Sequence, residues 1–198
     1  PPHFRDIVTC PCREGERYTE MKVTHKTSAA VLAVMTACTW AVPAAVSHAV
    51  PAPQLTVGAH EQGALDSTAG TTVTFRAPEG WSTSPSMSRT SVTFTRAEQD
   101  QELTLSVVDG SQNFDTTADR VLRQQALDGT SAAFDGGSVS GGGGFTGKSC
   151  VAIKTEQKAT GPCAVVHNGA TVVLVTATST SKYEAPDLQG LLDSLAAS

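Results

Sequence analysis

Between residues 150 and 176 the chain carries three short stretches of strand character, 150–155, 163–167 and 171–176. Cys150 opens the first and Cys163 opens the second. If these two strands pair antiparallel, with a turn near Glu156-Gln157, the cysteines face each other across the ladder. Their Cα atoms would then lie about 4.5–5.5 Å apart, inside the range of roughly 4.4–6.8 Å that a disulfide needs. Asn168-Gly169 separates the second and third strands and is a strong short-range hairpin signal. This segment therefore demands a largely antiparallel sheet, stapled at one register.

A staple of this kind needs an oxidising compartment. Residues 21–49 supply the reason to expect one. Met21 precedes a short basic region with Lys22 and Lys26, then an apolar run of small residues through Val42, then Ser47-His48-Ala49. This is the tripartite pattern of a bacterial export signal, with small residues at the −3 and −1 positions of a cleavage site. A signal of this kind emerges first from the ribosome, so residues 1–20 read as an upstream extension that is not native. Cys10-Pro11-Cys12 lacks the further ligands that a zinc site needs. The apolar run is diluted by Thr27, Ser28, Thr36 and Thr39 and broken by Pro43. It fits a cleaved signal better than a retained span. Met35-Thr36-Ala37-Cys38 loosely resembles a lipobox, so membrane anchoring by lipidation of Cys38 is the weaker alternative to free secretion.

Cleavage after Ala49 leaves 149 residues, enough for one domain with a real core. Nine basic residues face fifteen acidic ones in that part. An acidic balance without a basic cluster argues against nucleic acid and against anionic membrane surfaces. Only Cys150 and Cys163 remain, an even pair in an exported chain, and a structural disulfide is expected.

Residues 50–70 mix proline and glycine with polar residues and read as a linker. Alternation begins in 72–76, recurs in 91–95 and again in 102–108. A helix follows, with Thr116 as its expected cap, Ala118, Val121, Leu122 and Ala126 at helical spacing, and Gly129 as its stop. Residues 136–147 form a glycine-rich break with room for one short strand. Leu188, Leu191, Leu192 and Leu195 predict a closing helix, with Pro186 near its first turn. The expected fold is α+β over 71–198: a largely antiparallel sheet of about six to seven strands with two helices.

Chemistry is harder to find. Gly142 and Gly147-Lys148-Ser149 satisfy the letters of a phosphate-binding loop. The residues after them alternate as a strand, however, and such a loop must open a helix. Asp109, Asp115, Asp119 and Asp128 do not have calcium-loop spacing. With only His60 and His167 after the signal, no metal site or cofactor is expected. Trp81 is expected to plug the core, with ligand stacking as its sharper alternative role.

The stretch Phe75-Arg76-Ala77-Pro78-Glu79-Gly80-Trp81 resembles the strand-Pro-x-Gly-Trp opening of the PsbP-like fold. The closing residues 168–174 and 188–195 are similar to its last strand and helix. Exported actinobacterial proteins of the LpqN type share that fold, as do extrinsic photosystem II subunits. The resemblance implies an antiparallel sheet flanked by helices and an accessory or binding role without catalysis. It supplies no catalytic residues. The expectation is a secreted, non-enzymatic binding or accessory protein of the cell envelope, with an envelope protein, lipid or glycan as partner. The alternative is a secreted hydrolase assembled only in the fold, with His167 as base.

Overall fold

The structure, a computed structural model, describes residues 34–36, 39, 54–85, 88–110 and 113–198. Contacts divide the chain into two units, Pro1–Pro51 and Ala52–Ser198. In the first, the described residues 34–36 and 39 are helical, and the Thr39 hydroxyl donates to the carbonyls of Met35 and Thr36. The rest of the expected signal, Cys38 and residues 1–20 lie outside the described residues. No helix among the described residues is long and apolar enough to cross a membrane.

The second unit is α+β and its sheets are antiparallel. Its strands are β1 (Leu55–Thr56), β2 (Gln62–Asp66), β3 (Thr72–Arg76), β4 (Ser82–Thr83), β5 (Ser91–Arg96) and β6 (Gln101–Asp109). Helix α1 (Phe114–Leu127) follows, then β7 (Thr130–Ser140), β8 (Thr146–Lys154), β9 (Ala159–Asn168) and β10 (Thr171–Thr180). The short helix α2 (Gln189–Leu192) and β11 (Ala196–Ala197) close the chain. Eight strands form one sheet in the order β1-β4-β5-β6-β10-β9-β8-β7, and β11-β3-β2 form a second. A single sheet of six to seven strands was expected. The difference comes from β2, β3 and β11, which leave the main sheet and pack over it.

Strand alternation sorts the core into two layers. On one face of the large sheet, Leu103, Leu105 and Val107 of β6 and Val173, Val175 and Ala177 of β10 meet Val73 and Phe75 of β3. Trp81 and the leucines at 188, 191, 192 and 195 join this layer. On the other face, Val172 and Leu174 of β10 and Val165 of β9 meet Ala118, Val121 and Leu122 of α1. β10 lies between both layers, which is why it is buried along nearly its whole length.

Several local expectations need correction. Residues 54–70 are not a linker: they contain β1 and β2, and Val57 and Leu65 are buried in the first layer. Their glycines and polar residues mask two short strands whose pairing is tertiary. The helix cap is Asn113, whose Oδ1 accepts the Thr116 N–H at 3.2 Å. Thr116 is thus the capped residue and not the cap. Gly129, with φ +85°, does end the helix, in the left-handed conformation glycine tolerates best. The closing helix has one turn only, although all four of its leucines are buried.

The glycine-rich break is the larger miss. β7, eleven residues long, runs on into it as far as Ser140. It pairs Phe134 with Cys150 and Ser138 with Lys148, so Asp135, Gly136 and Gly137 all stand opposite Ser149. This bulge is held by Asp135, whose Oδ1 accepts the Gly137 N–H at 2.9 Å and the Ser149 hydroxyl at 2.5 Å. Those two bonds, the Ser149 hydroxyl foremost, hold the Asp135 carboxyl below its ordinary pKa. The following glycines serve close approach. A Cβ on Gly141 would lie 2.5 Å from the Leu192 carbonyl oxygen, and one on Gly142 would lie 2.2 Å from that of Asp193. They let the C-terminal segment dock on the loop, and β8 then continues as a strand. No helix opens there, so the phosphate-loop letters have no phosphate-loop geometry.

The stapled hairpin is as expected. Cys150 pairs with Cys163 across β8 and β9, their Cα atoms 4.8 Å apart, and the two are disulfide-bonded. Residues 155–158 form the turn. The β9–β10 turn is shifted by one residue. Asn168 pairs with Thr171, leaving Gly169-Ala170 as the loop, with positive φ only at Gly169. A positive φ at the first loop position alone belongs to a II′ turn.

Candidate functional site

Helix α1 covers only part of its face of the large sheet. Beyond its N-terminus lies a cleft of about 770 Å³. Its walls are Phe114 of α1, Phe134 of β7 and His167 of β9, and Lys148 of β8 reaches into it. Register explains the convergence. Phe134 pairs with Cys150 and Ser138 with Lys148, while Thr146 pairs with His167. All belong to the alternate positions that face α1.

The rings are placed by stacking. Phe114 and His167 lie with centroids 4.2 Å apart and planes at 27°. The Lys148 ammonium lies 5.4 Å from the Phe134 centroid, over its face, and 2.9 Å from Asp115 Oδ1. Both partners of that ion pair are substantially exposed, at 42 % and 69 % of the side chain. An exposed pair contributes little to stability, roughly 0–1 kcal/mol. A ligand can therefore compete for Lys148 at low cost. The bulge at 135–137 removes side-chain bulk where Gly136 and Gly137 line the cleft and exposes backbone there. The arrangement suits binding: flat apolar walls, one exposed cation and exposed backbone polar groups.

His167, the base of the hydrolase alternative, stacks on Phe114, and among the described residues no hydroxyl or carboxylate hydrogen-bonds its ring. Trp81 lies in the other layer, 5 % exposed, with the Arg96 guanidinium carbon 5.0 Å from the ring centroid. It fills the core beside Phe94 and is not part of the cleft. Cys150 and Cys163 lie beneath α1 as a structural bond. Asp109 ties strands together: its Oδ2 accepts the Thr68 hydroxyl and the Ala69 N–H. The Thr68 hydroxyl, then that of Ser67, lowers its pKa, with smaller backbone contributions. Among the described residues no group of His, Cys, Asp and Glu could hold a metal ion.

Phe114, Phe134 and Lys148 escaped the sequence reading as site residues. The available signal was scarcity, since the chain has only six phenylalanines and two tryptophans. Both phenylalanines pack, partly buried, against the edge of the layer beneath α1, one at a helix start and the other just before the bulge glycines. No family model, curated protein or solved structure matches the chain.

Proposed function

We propose that this chain is a secreted, non-enzymatic binding or accessory protein of the bacterial cell envelope, and that the cleft beyond α1 is its binding site. The observation that carries this reading is the cleft itself: two phenylalanines, a stacked histidine and one displaceable ammonium around an open groove. The export pattern of residues 21–49 supports the location. The reading takes the fold as PsbP-like, of the LpqN type. The turn from β3 into the buried Trp81 and the closing leucines support that assignment. The partner is an envelope protein, lipid or glycan. The hydrolase reading gains no support, because its base has a ring partner in place of a nucleophile. Incubating the immobilised full chain with a solubilised envelope fraction tests the proposal. Retention of a defined component is expected, and retention of nothing contradicts it.

A further inference from the structure

The two edges of the large sheet differ. β1 is two residues long, too short to template another strand. β7 is eleven residues long, and residues 130–134 hold no charge and no proline. Sheet edges are ordinarily blunted by shortness, charge, proline or a bulge. On β7 the bulge comes only after Phe134.

Register shows which backbone groups point outward. The Cα atoms of Cys150 and Cys163 are 4.8 Å apart, the close spacing of a pair that exchanges no hydrogen bonds. Cys150 therefore turns its N–H and C=O the other way, towards its β7 partner Phe134. By alternation Ala132 also bonds to β8, while Ser131 and Ala133 turn their N–H and C=O out of the sheet. No described residue bonds to those outward groups.

A groove of about 440 Å³ runs along this edge, between it and α1. Residues 131–134 line it consecutively. Successive strand side chains point to opposite faces, so the wall is the backbone edge itself. Leu122 and Ala126 of α1 form the apolar wall opposite, with Asp119 and Arg123 beside them. Those two charges form no ion pair with any described residue. Phe134 lines both this groove and the aromatic cleft, so the two are continuous.

We infer that an extended peptide binds this groove by adding a strand to β7, which rests on the reading of the α1 face as a binding face and makes its partner a protein. The outward N–H and C=O groups recur every two residues, about 6.8 Å. Another extended backbone matches that repeat, and a glycan or an acyl chain does not. Leu122 and Ala126 favour small apolar side chains on the α1 side of the added strand. The volume lies within the range of roughly 300–1,000 Å³ for ligand sites. A second copy of this chain is the competing strand. Antiparallel pairing of two β7 edges would bring a second α1 onto the same face. Paired strands lie about 4.8 Å apart, whereas packed helices need about 8–10 Å, so the groove favours a peptide that carries no helix.

The test is an NMR titration of the full-length chain with three blocked heptapeptides that alternate valine with threonine. One is neutral, one has a central glutamate for Arg123, and one has a central lysine for Asp119. Saturable amide shifts are expected at Ala126, Ser131 and Ala133 with at least one of them. Ala133→Pro deletes an outward N–H and leaves the ladder to β8 intact, so it should weaken binding about tenfold or more. Ala126→Trp fills the groove from the helix and should do the same, which keeps the test decisive if the proline variant does not fold. Absence of saturable shifts with all three peptides, or binding unchanged in a folded variant, would overturn the inference. So would a wild-type dimer that Ala133→Pro dissolves, because the edge would then belong to a second copy. If the peptides fail while an envelope component is still retained through Phe134 and Lys148, the added strand is refuted and the binding face stands.

Discussion

The two faces of the large sheet are covered in different ways. One is roofed by a second sheet and four leucines from the C-terminal segment, and its polar strand positions are few. The other is covered by one helix of fourteen residues lying over a sheet of eight strands. A helix is about 10 Å wide and strands are spaced about 4.8 Å apart, so α1 spans two or three of them. What it leaves open becomes clefts, one aromatic and one along the edge strand β7. The dry face supplies stability, and the half-covered face has room for ligands.

The largest test of this contrast is core truncation. Leu105→Ala in the dry layer is expected to cost about 3–5 kcal/mol, because close-packed surroundings cannot collapse into the cavity. Leu122→Ala on α1 should cost less, about 2–3 kcal/mol, because its neighbours lie beside open clefts. Denaturant unfolding of both variants checks the ordering. A reversed order would break the comparison.

The disulfide sharpens it. Cys150 and Cys163 sit in the thin layer, where a covalent bond takes the place of apolar cover. Reduction is expected to remove about 3 kcal/mol by the chain-entropy argument. It should raise amide exchange in α1 and β8 before it does so in β3. Non-reducing mass spectrometry of the protein should find the bond intact, and two free thiols would contradict the account.

A smaller effect concerns acid. Asp109 holds the β2–β3 turn through bonds that favour its charged form, so its folded pKa lies below its unfolded one. Its contribution to stability is present above the ordinary carboxylate pKa and is lost as pH falls through the lowered folded value. Asp109→Asn should therefore flatten the acid limb of the stability curve, with little change near neutrality. Thermal melts from neutral to acid pH measure this.

Much of the fold was legible in local pattern, and the exceptions have physical causes. β3, β5, β6 and the stapled hairpin announce themselves through alternation and paired cysteines. β7 does not, because Ala132, Ala133, Gly136 and Gly137 have low strand propensity and the strand is imposed by pairing with β8. β2 reads as linker because its hydrogen bonds go to β3 and only Leu65 along it is fully buried. The clefts were not legible at all. Phe114, Phe134, Lys148 and His167 come from four elements, and only tertiary register brings them together.

The central claim is that the α1 face carries the binding site. Its most direct test compares retention of an envelope component by three full-length chains: wild type, Phe134→Ala/Lys148→Ala, and Val151→Ser. Val151 is an exposed apolar residue at the alternate strand position to Lys148, on the opposite face, and serves as the control. Retention by wild type and Val151→Ser, and its loss in the double variant, is the predicted result. Equal retention by the double variant, or loss in Val151→Ser alone, would place binding on the other face and contradict the account.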